Sequence, residues 1–102
     1  MSESPSPVSG RELRDLKARA QRLDPVVKVG KAGLSDAFYT ALEGALLQHQ
    51  LVKIKFEDLK DQKKELVPQI AARTGAQLIQ RVGNVAVLFR RRPTKAVTEA
   101  ED

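Results

Sequence analysis

Gly30 and Gly33 enclose Lys31 and Ala32, directly after the apolar run Val26-Val27-Lys28-Val29 and directly before Ser35, a residue type that starts helices. A Gly-x-x-Gly turn between a strand and a helix suits a polyanion. Gly30 can take backbone angles that other residues avoid, and Gly33 leaves no side chain in the path of a ligand. The start of the next helix offers unpaired amides and the positive end of its dipole. Lys31 adds a mobile cation at the tip. As a bare pattern, two glycines three apart usually mark an ordinary turn; the strand, the helix and the central lysine make this one a candidate for clamping a nucleic-acid backbone, as KH-type loops do. It is not a nucleotide-binding P-loop, because no Gly-Lys-Ser/Thr ending follows and no G-x-G-x-x-G is present.

Three further cationic sets stand near it in sequence. Leu51 to Phe56 alternates, with Val52, Ile54 and Phe56 on one side and Lys53 and Lys55 on the other. With Lys28, and with Arg81 from a later strand, these lysines predict a basic sheet face, although a solvated face that keeps a sheet soluble has the same composition. Arg11, Arg14 and Arg22 point away from the apolar stripe of a first helix and read equally as a solvated face. Arg90-Arg91-Arg92 closes the last strand, where a basic run can anchor phosphate or simply form a charged edge.

Other chemistries find little support. There is no cysteine and a single histidine, so thiolate and paired-histidine metal sites are excluded, and a reducing cytoplasm is compatible. His49 falls within the apolar face of the second helix and is expected to pack and cap carbonyls. Glu57, Asp58, Asp61 and Glu65 are expected to form a loop and a first helical turn favoured by the dipole, not a metal cluster. No cofactor, no small-molecule substrate and no enzymatic activity are expected. Aromatic residues are Phe38, Tyr39, Phe56 and Phe89. Phe38 and Phe56 read as core, Tyr39 as rim, and Phe89 fits either face. The stacked aromatic platform of RRM-type readers is therefore missing, so binding should rest on phosphate and shape.

The 102 residues fit one domain, and 41% hydrophobic content suffices for a small core. The net charge is +5 and the pI about 9.8. Residues 1–8, rich in Ser and Pro, read as a disordered lead, and 93–102 as a flexible tail. Setting aside Glu3 in the lead, and Lys95, Glu99, Glu101 and Asp102 in the tail, leaves 17 basic and 9 acidic residues, a net +8 for residues 9–92. Such a surface favours nucleic acid first and an acidic membrane second. No run approaches a membrane span, and Met1 to Pro7 lacks a signal-peptide core.

The elements that must position the loop follow from periodicity. Ser9 and Glu12 form a capping box for a first helix, with Leu13, Leu16, Ala20 and Leu23 inward, ending before Pro25. A strand over 26–29 leads into the loop. Ser35 caps a second helix to about Gln50, with Phe38, Ala41, Leu42, Ala45 and Leu46 inward. After the alternating strand, a third helix over about 61–74 carries Leu66, Val67, Ile70 and Ala71 inward, Pro68 outward, and Gly75 as its cap. Ala76 to Val82 and Val85 to Arg90 make a hairpin about Gly83-Asn84. The order αβαβαββ predicts an α/β two-layer sandwich, a four-stranded mixed sheet with helices on at least one face.

Four blocks together resemble the CRM domain family (chloroplast RNA splicing and ribosome maturation): Leu23 to Leu34, His49 to Lys55, Arg73 to Ala76, and Val82 to Arg90. The likeness spans about residues 9–92, and a single-domain chain of this size looks like the bacterial YhbY group. It implies a fold like the C-terminal domain of translation initiation factor three, RNA binding, and association with precursors of the large ribosomal subunit. The family's loop motif maps onto Gly30, Lys31, Ala32 and Gly33. Members often carry Asn where this chain has Ala32, so a side-chain hydrogen bond from that position is lost while backbone clamping is kept. Pro68 and the charged stretch from Glu57 to Lys64 depart from the family pattern. The expected contact set is Gly30, Lys31, Ala32, Gly33, Lys28, Lys53, Lys55, Arg81 and Arg90, on a cytoplasmic monomer with RNA as partner. The alternative is a protein-interaction module that docks an acidic ribosomal protein or assembly factor.

Overall fold

In the computed structural model, residues 8–91 are described. The expected lead and tail, and Arg92, lie almost wholly outside these residues. Helix α1 spans Gly10–Ala20, strand β1 Val27–Val29, helix α2 Asp36–His49, strand β2 Leu51–Phe56, helix α3 Lys63–Thr74, and strands β3 and β4 Gln77–Val82 and Val85–Phe89. The sheet order is β1-β2-β4-β3, with β1 parallel to β2 and both other pairings antiparallel. This is the expected α/β fold with a four-stranded mixed sheet and three helices.

Alternation in β2 sets the layers. Val52, Ile54 and Phe56 face α2 and α3 and join Val29, Leu42, Leu46, Val67, Ile70 and Leu88 in the main core. Full burial of a side chain of this size contributes about 1.5–3 kcal/mol. Helix α1 lies on the opposite face, where Leu16 and Ala20 pack on Leu51, Ile79, Val87 and Phe89. The two-layer sandwich thus gains a partial third layer. Phe89, which fitted either face in the sequence, belongs to the α1 side.

Several local expectations change. Ser9 Oγ accepts from the Glu12 amide at 3.1 Å, but the Glu12 carboxylate does not turn back to complete a capping box; Arg91 holds it at 2.6 and 2.9 Å. Leu23 lies beyond the end of α1 and is exposed. On α2, Tyr39 is buried and Ala41 exposed, the reverse of the rim and core roles read from spacing. The Tyr39 ring sits edge-on to Phe38 beneath the Arg73 guanidinium, 4.4 Å from its centroid. His49 is exposed at the end of the helix, where Gln50 takes a positive φ of 66°. Helix α3 begins at Lys63, after a 3-10 turn over Lys60–Gln62. It runs through Pro68, whose exposed side lets the carbonyl freed by the missing amide turn to water.

Arg90 ties three elements together. Its guanidinium donates to both Glu43 carboxylate oxygens, at 2.7 and 2.9 Å, and to the Thr74 carbonyl at 2.8 Å. The end of β4, the middle of α2 and the last turn of α3 therefore meet at one side chain. The Arg90 hydrogen bond holds the Glu43 carboxyl below its ordinary pKa of 4.5, against a smaller opposing effect of burial. A carboxyl with a depressed folded-state pKa contributes stability that is complete above the unfolded-state value and is lost as pH falls through the folded one. Arg90→Ala should lower unfolding free energy in urea by about 1–2 kcal/mol, the partial exposure of Glu43 limiting the loss. It should also lose less further stability than the parent on acidification below pH 4.5.

Candidate nucleic-acid interface

The Gly30–Gly33 segment is a tight turn at the end of β1, closed by the Gly33 amide donating to the Gly30 carbonyl at 3.0 Å. Lys31 and Ala32 keep negative φ, as in a type I turn, which favours glycine at its fourth position. The two glycines exchange the roles expected of them. Gly33 has φ +70°, and a Cβ there would come within 3.2 Å of Leu59 Cδ1. Gly30 has no left-handed φ and faces open space. Gly33 thus shapes the turn, while Gly30 leaves room for an approaching backbone.

The turn is braced from behind. Backbone amides of Glu57 and Asp58 both donate to the Val29 carbonyl, at 3.0 and 3.1 Å, so the segment after β2 rests on the last residue of β1. Leu59, with a left-handed φ of 58°, then packs its side chain toward Gly33. No periodicity in the sequence marked this brace; a left-handed leucine is legible only from the fold. On the other side, Ser35 caps α2 by accepting from the Phe38 amide at 3.1 Å. The Asp36 and Ala37 amides have no acceptor among the described residues. Asp36 itself places a carboxylate in that first turn and already answers the helix dipole. An open cleft of about 410 Å³ runs here between β1 and α2, lined by Val26, Lys28, Gly30, Gly33, Ser35 and Ala37 among others.

Register decides which cations share the sheet face. Lys28 lies directly beside Lys55 in the parallel β1–β2 pairing, and Lys53 stands one pleat repeat back on the same face. Like charges side by side on a sheet repel. Glu57 at 3.5 Å from Lys28 offsets part of this, in an exposed pair worth little. Lys55 and Lys31 have no ionic partner among the described residues. Lys53 is partly committed, its ammonium donating to the Leu23 carbonyl at 2.9 Å.

Arg81 and Arg90 leave this group. A register shift between Leu78 and Gln80 breaks the alternation of β3, so Arg81 pairs with Ala86 and points to the α2–α3 side, away from the lysines. Without that bulge, Arg81 would have shared their face. Arg90 is held by Glu43 and Thr74, as described above, and its guanidinium is not open to a phosphate. Arg91 is tied to Glu12 and lies 5.4 Å over the Phe89 ring. Among the described residues no group of three or more His, Cys, Asp or Glu is placed to hold a metal ion, and no helix is long and apolar enough to cross a membrane.

The comparisons agree with the fold. The family model described as CRS1 / YhbY (CRM) domain matches residues 8–90. The Bacillus subtilis protein named "Probable RNA-binding protein YqeI" is 27% identical over 84 residues, covering 81% of this chain and 88% of that one. A Haemophilus influenzae protein named "RNA-binding protein" is 33% identical over 84 residues, covering 81% and 85%. The solution structure of SAV1595 from Staphylococcus aureus superposes with a TM-score of 0.71 at 26% identity, covering 89% of this chain and 97% of that one.

The contrast between the two glycines is open to measurement. Gly33→Ala should cost about 1–2 kcal/mol of stability in chemical denaturation, because a Cβ is strained at left-handed φ. Gly30→Ala should leave stability within about 0.5 kcal/mol of the parent.

Proposed function

The chain belongs to the CRS1 / YhbY (CRM) domain family, and on that footing we propose that it is a non-enzymatic RNA-binding protein that contacts large-subunit precursor ribosomal RNA during ribosome assembly in the cytoplasm. The observation that carries the proposal is local. An open Gly30, a Lys31 with no ionic partner among the described residues, and the side-by-side pair Lys28 and Lys55 converge at one end of the sheet, on a turn braced by Gly33 and Leu59. A backbone phosphate near this pair would relieve the repulsion between the two lysines. It would also gain donors that are already oriented, which lowers the ordering cost of binding.

In this reading, Gly30 admits the sugar–phosphate backbone and Lys31 and Lys55 supply the ionic contacts. Lys28 contributes once Glu57 is displaced, and Lys53 extends the track while holding the Leu23 carbonyl. Ala32 offers no side-chain hydrogen bond, so the turn grips backbone and leaves base identity unread. Relatives that bear RNA-binding names over nearly the same span support the nature of the ligand.

The test is salt-dependent titration of a structured fragment of large-subunit ribosomal RNA. Lys31→Ala combined with Lys55→Ala should weaken binding and reduce the slope of log K against log salt by about one to two. An unchanged slope and affinity would remove these lysines from the interface. Pull-downs from ribonuclease-treated lysate separate this function from docking on an acidic assembly protein, which would survive the treatment.

A further inference from the structure

The face of the sheet that carries the lysines is only half covered. Helix α1 packs over Leu51, Ile79, Val87 and Phe89 and ends at Ala20. Beyond it the Val82–Val85 pair beside the hairpin turn is left open, and Val82 is 58% exposed. Between the last turn of α1 and this surface lies a groove of about 340 Å³. Val82 and Val85 form its open floor, with the buried Val87 at its inner end; Lys17 and Gln21 stand on the helix side, with Lys53 and Gln80 on the sheet side. No carboxylate lines it. The side-chain amides of Gln21 and Gln80 make no hydrogen bond to another described residue.

The register arranges this surface in two rows. One reads Lys28, Lys55, Val85, Val82 across the four strands, and the next reads Lys53, Val87, Gln80. The cations sit on β1 and β2 in the first row and on β2 in the second, and the apolar and amide groups on β4 and β3. Neighbouring strands lie about 4.8 Å apart, so a flexible lysine on β2 reaches a group attached to something resting on β4. The cationic side continues into the Gly30–Gly33 turn at the end of β1.

We propose that this groove is a second contact, for single-stranded RNA, in which unstacked bases lie on Val82 and Val85 while their phosphates follow the lysines of β1 and β2. This rests on the RNA-binding reading above and adds to it a strandedness preference and a direction, with bases turned toward the β3–β4 hairpin. A base has an apolar face for the valine floor and polar edges for the free Gln21 and Gln80 amides, which can both donate and accept. A paired base in a duplex presents neither its face nor its pairing edge, so a duplex gains only the phosphate contacts. An acidic peptide would match the lysines and could bond the two amides through its backbone, but it has no extended apolar ring face to lay on the valine floor.

The experiment compares a fluorescein-labelled oligouridylate with a blunt RNA duplex of equal length by anisotropy, for the full chain and three variants. Val82→Glu, at an exposed strand position, should weaken single-strand binding by about tenfold and duplex binding by less than about twofold. Gln21→Ala combined with Gln80→Ala should narrow the single-strand preference in the same direction. Lys31→Ala, at the turn, should weaken both ligands alike. If the parent binds RNA but both groove variants keep its single-strand affinity within about twofold, the groove is not an RNA contact, while the turn-based function stands. If the parent binds neither ligand, the RNA-binding reading fails and this proposal fails with it. Should Val82→Glu lose both ligands equally, the glutamine pair decides, and an unchanged strand preference there overturns the proposal. A glutamate-rich peptide that perturbs the Val82 and Val85 methyl resonances, where oligouridylate does not, would assign the groove to a protein partner instead.

Discussion

The parallel pairing of β1 against β2 is the constraint on which the rest depends. It sets Val27 and Val29 beside Ile54 and Phe56 on the core side and Lys28 beside Lys55 on the other. Because side chains alternate strictly along a strand, one register fixes both faces together; a slip by one residue would bury the lysines and expose the valines. The same pairing brings the Val29 carbonyl to the Glu57 and Asp58 amides, and from there Leu59 reaches Gly33. Core, cationic face and turn are therefore three consequences of a single alignment.

The charged residues divide by what they touch. Arg90 and Arg91 are committed within the fold, joining the end of β4 to α2, α3 and α1. Among the described residues Lys31 and Lys55 have no ionic partner, and Lys28 and Lys53 are committed only in part. A basic pI alone does not separate these roles. An arginine whose planar fork already meets a carboxylate and a carbonyl has little left for a phosphate. A flexible lysine at a strand end keeps all of its donors. Among the described residues, the charge left uncommitted on this surface is thus smaller than its formal charge, and much of it lies along β1 and β2.

The two glycines of the turn show how spacing can locate a turn and still misassign the part each residue plays in its shape. Spacing and context located the turn, yet they assigned the conformational need to Gly30 and the open approach to Gly33. The structure exchanges them, because the left-handed φ falls on the fourth residue of the turn, and Leu59 occupies the space beside it. Arg81 is a similar case. Its type and strand were legible, but the bulge at Ile79 that turns it away leaves no mark in a sequence that alternates plausibly either way.

By itself the sequence determined the element order, the helix starts at Ser9 and Ser35, the two faces of β2, the hairpin at Gly83-Asn84 and the family. Each of these follows from a local rule: a cap, a period of two, a turn type, or several short motifs in order. Tertiary structure alone decided that α1 covers only half of the lysine-bearing face, that Arg90 is a brace, that His49 is exposed and Tyr39 buried, and that Val82 and Val85 are left as an open floor. These depend on contacts between residues far apart in the chain. Glu43 and Arg90, or Gln21 and Gln80, share no sequence period, and only the packing of one element against another brings them together.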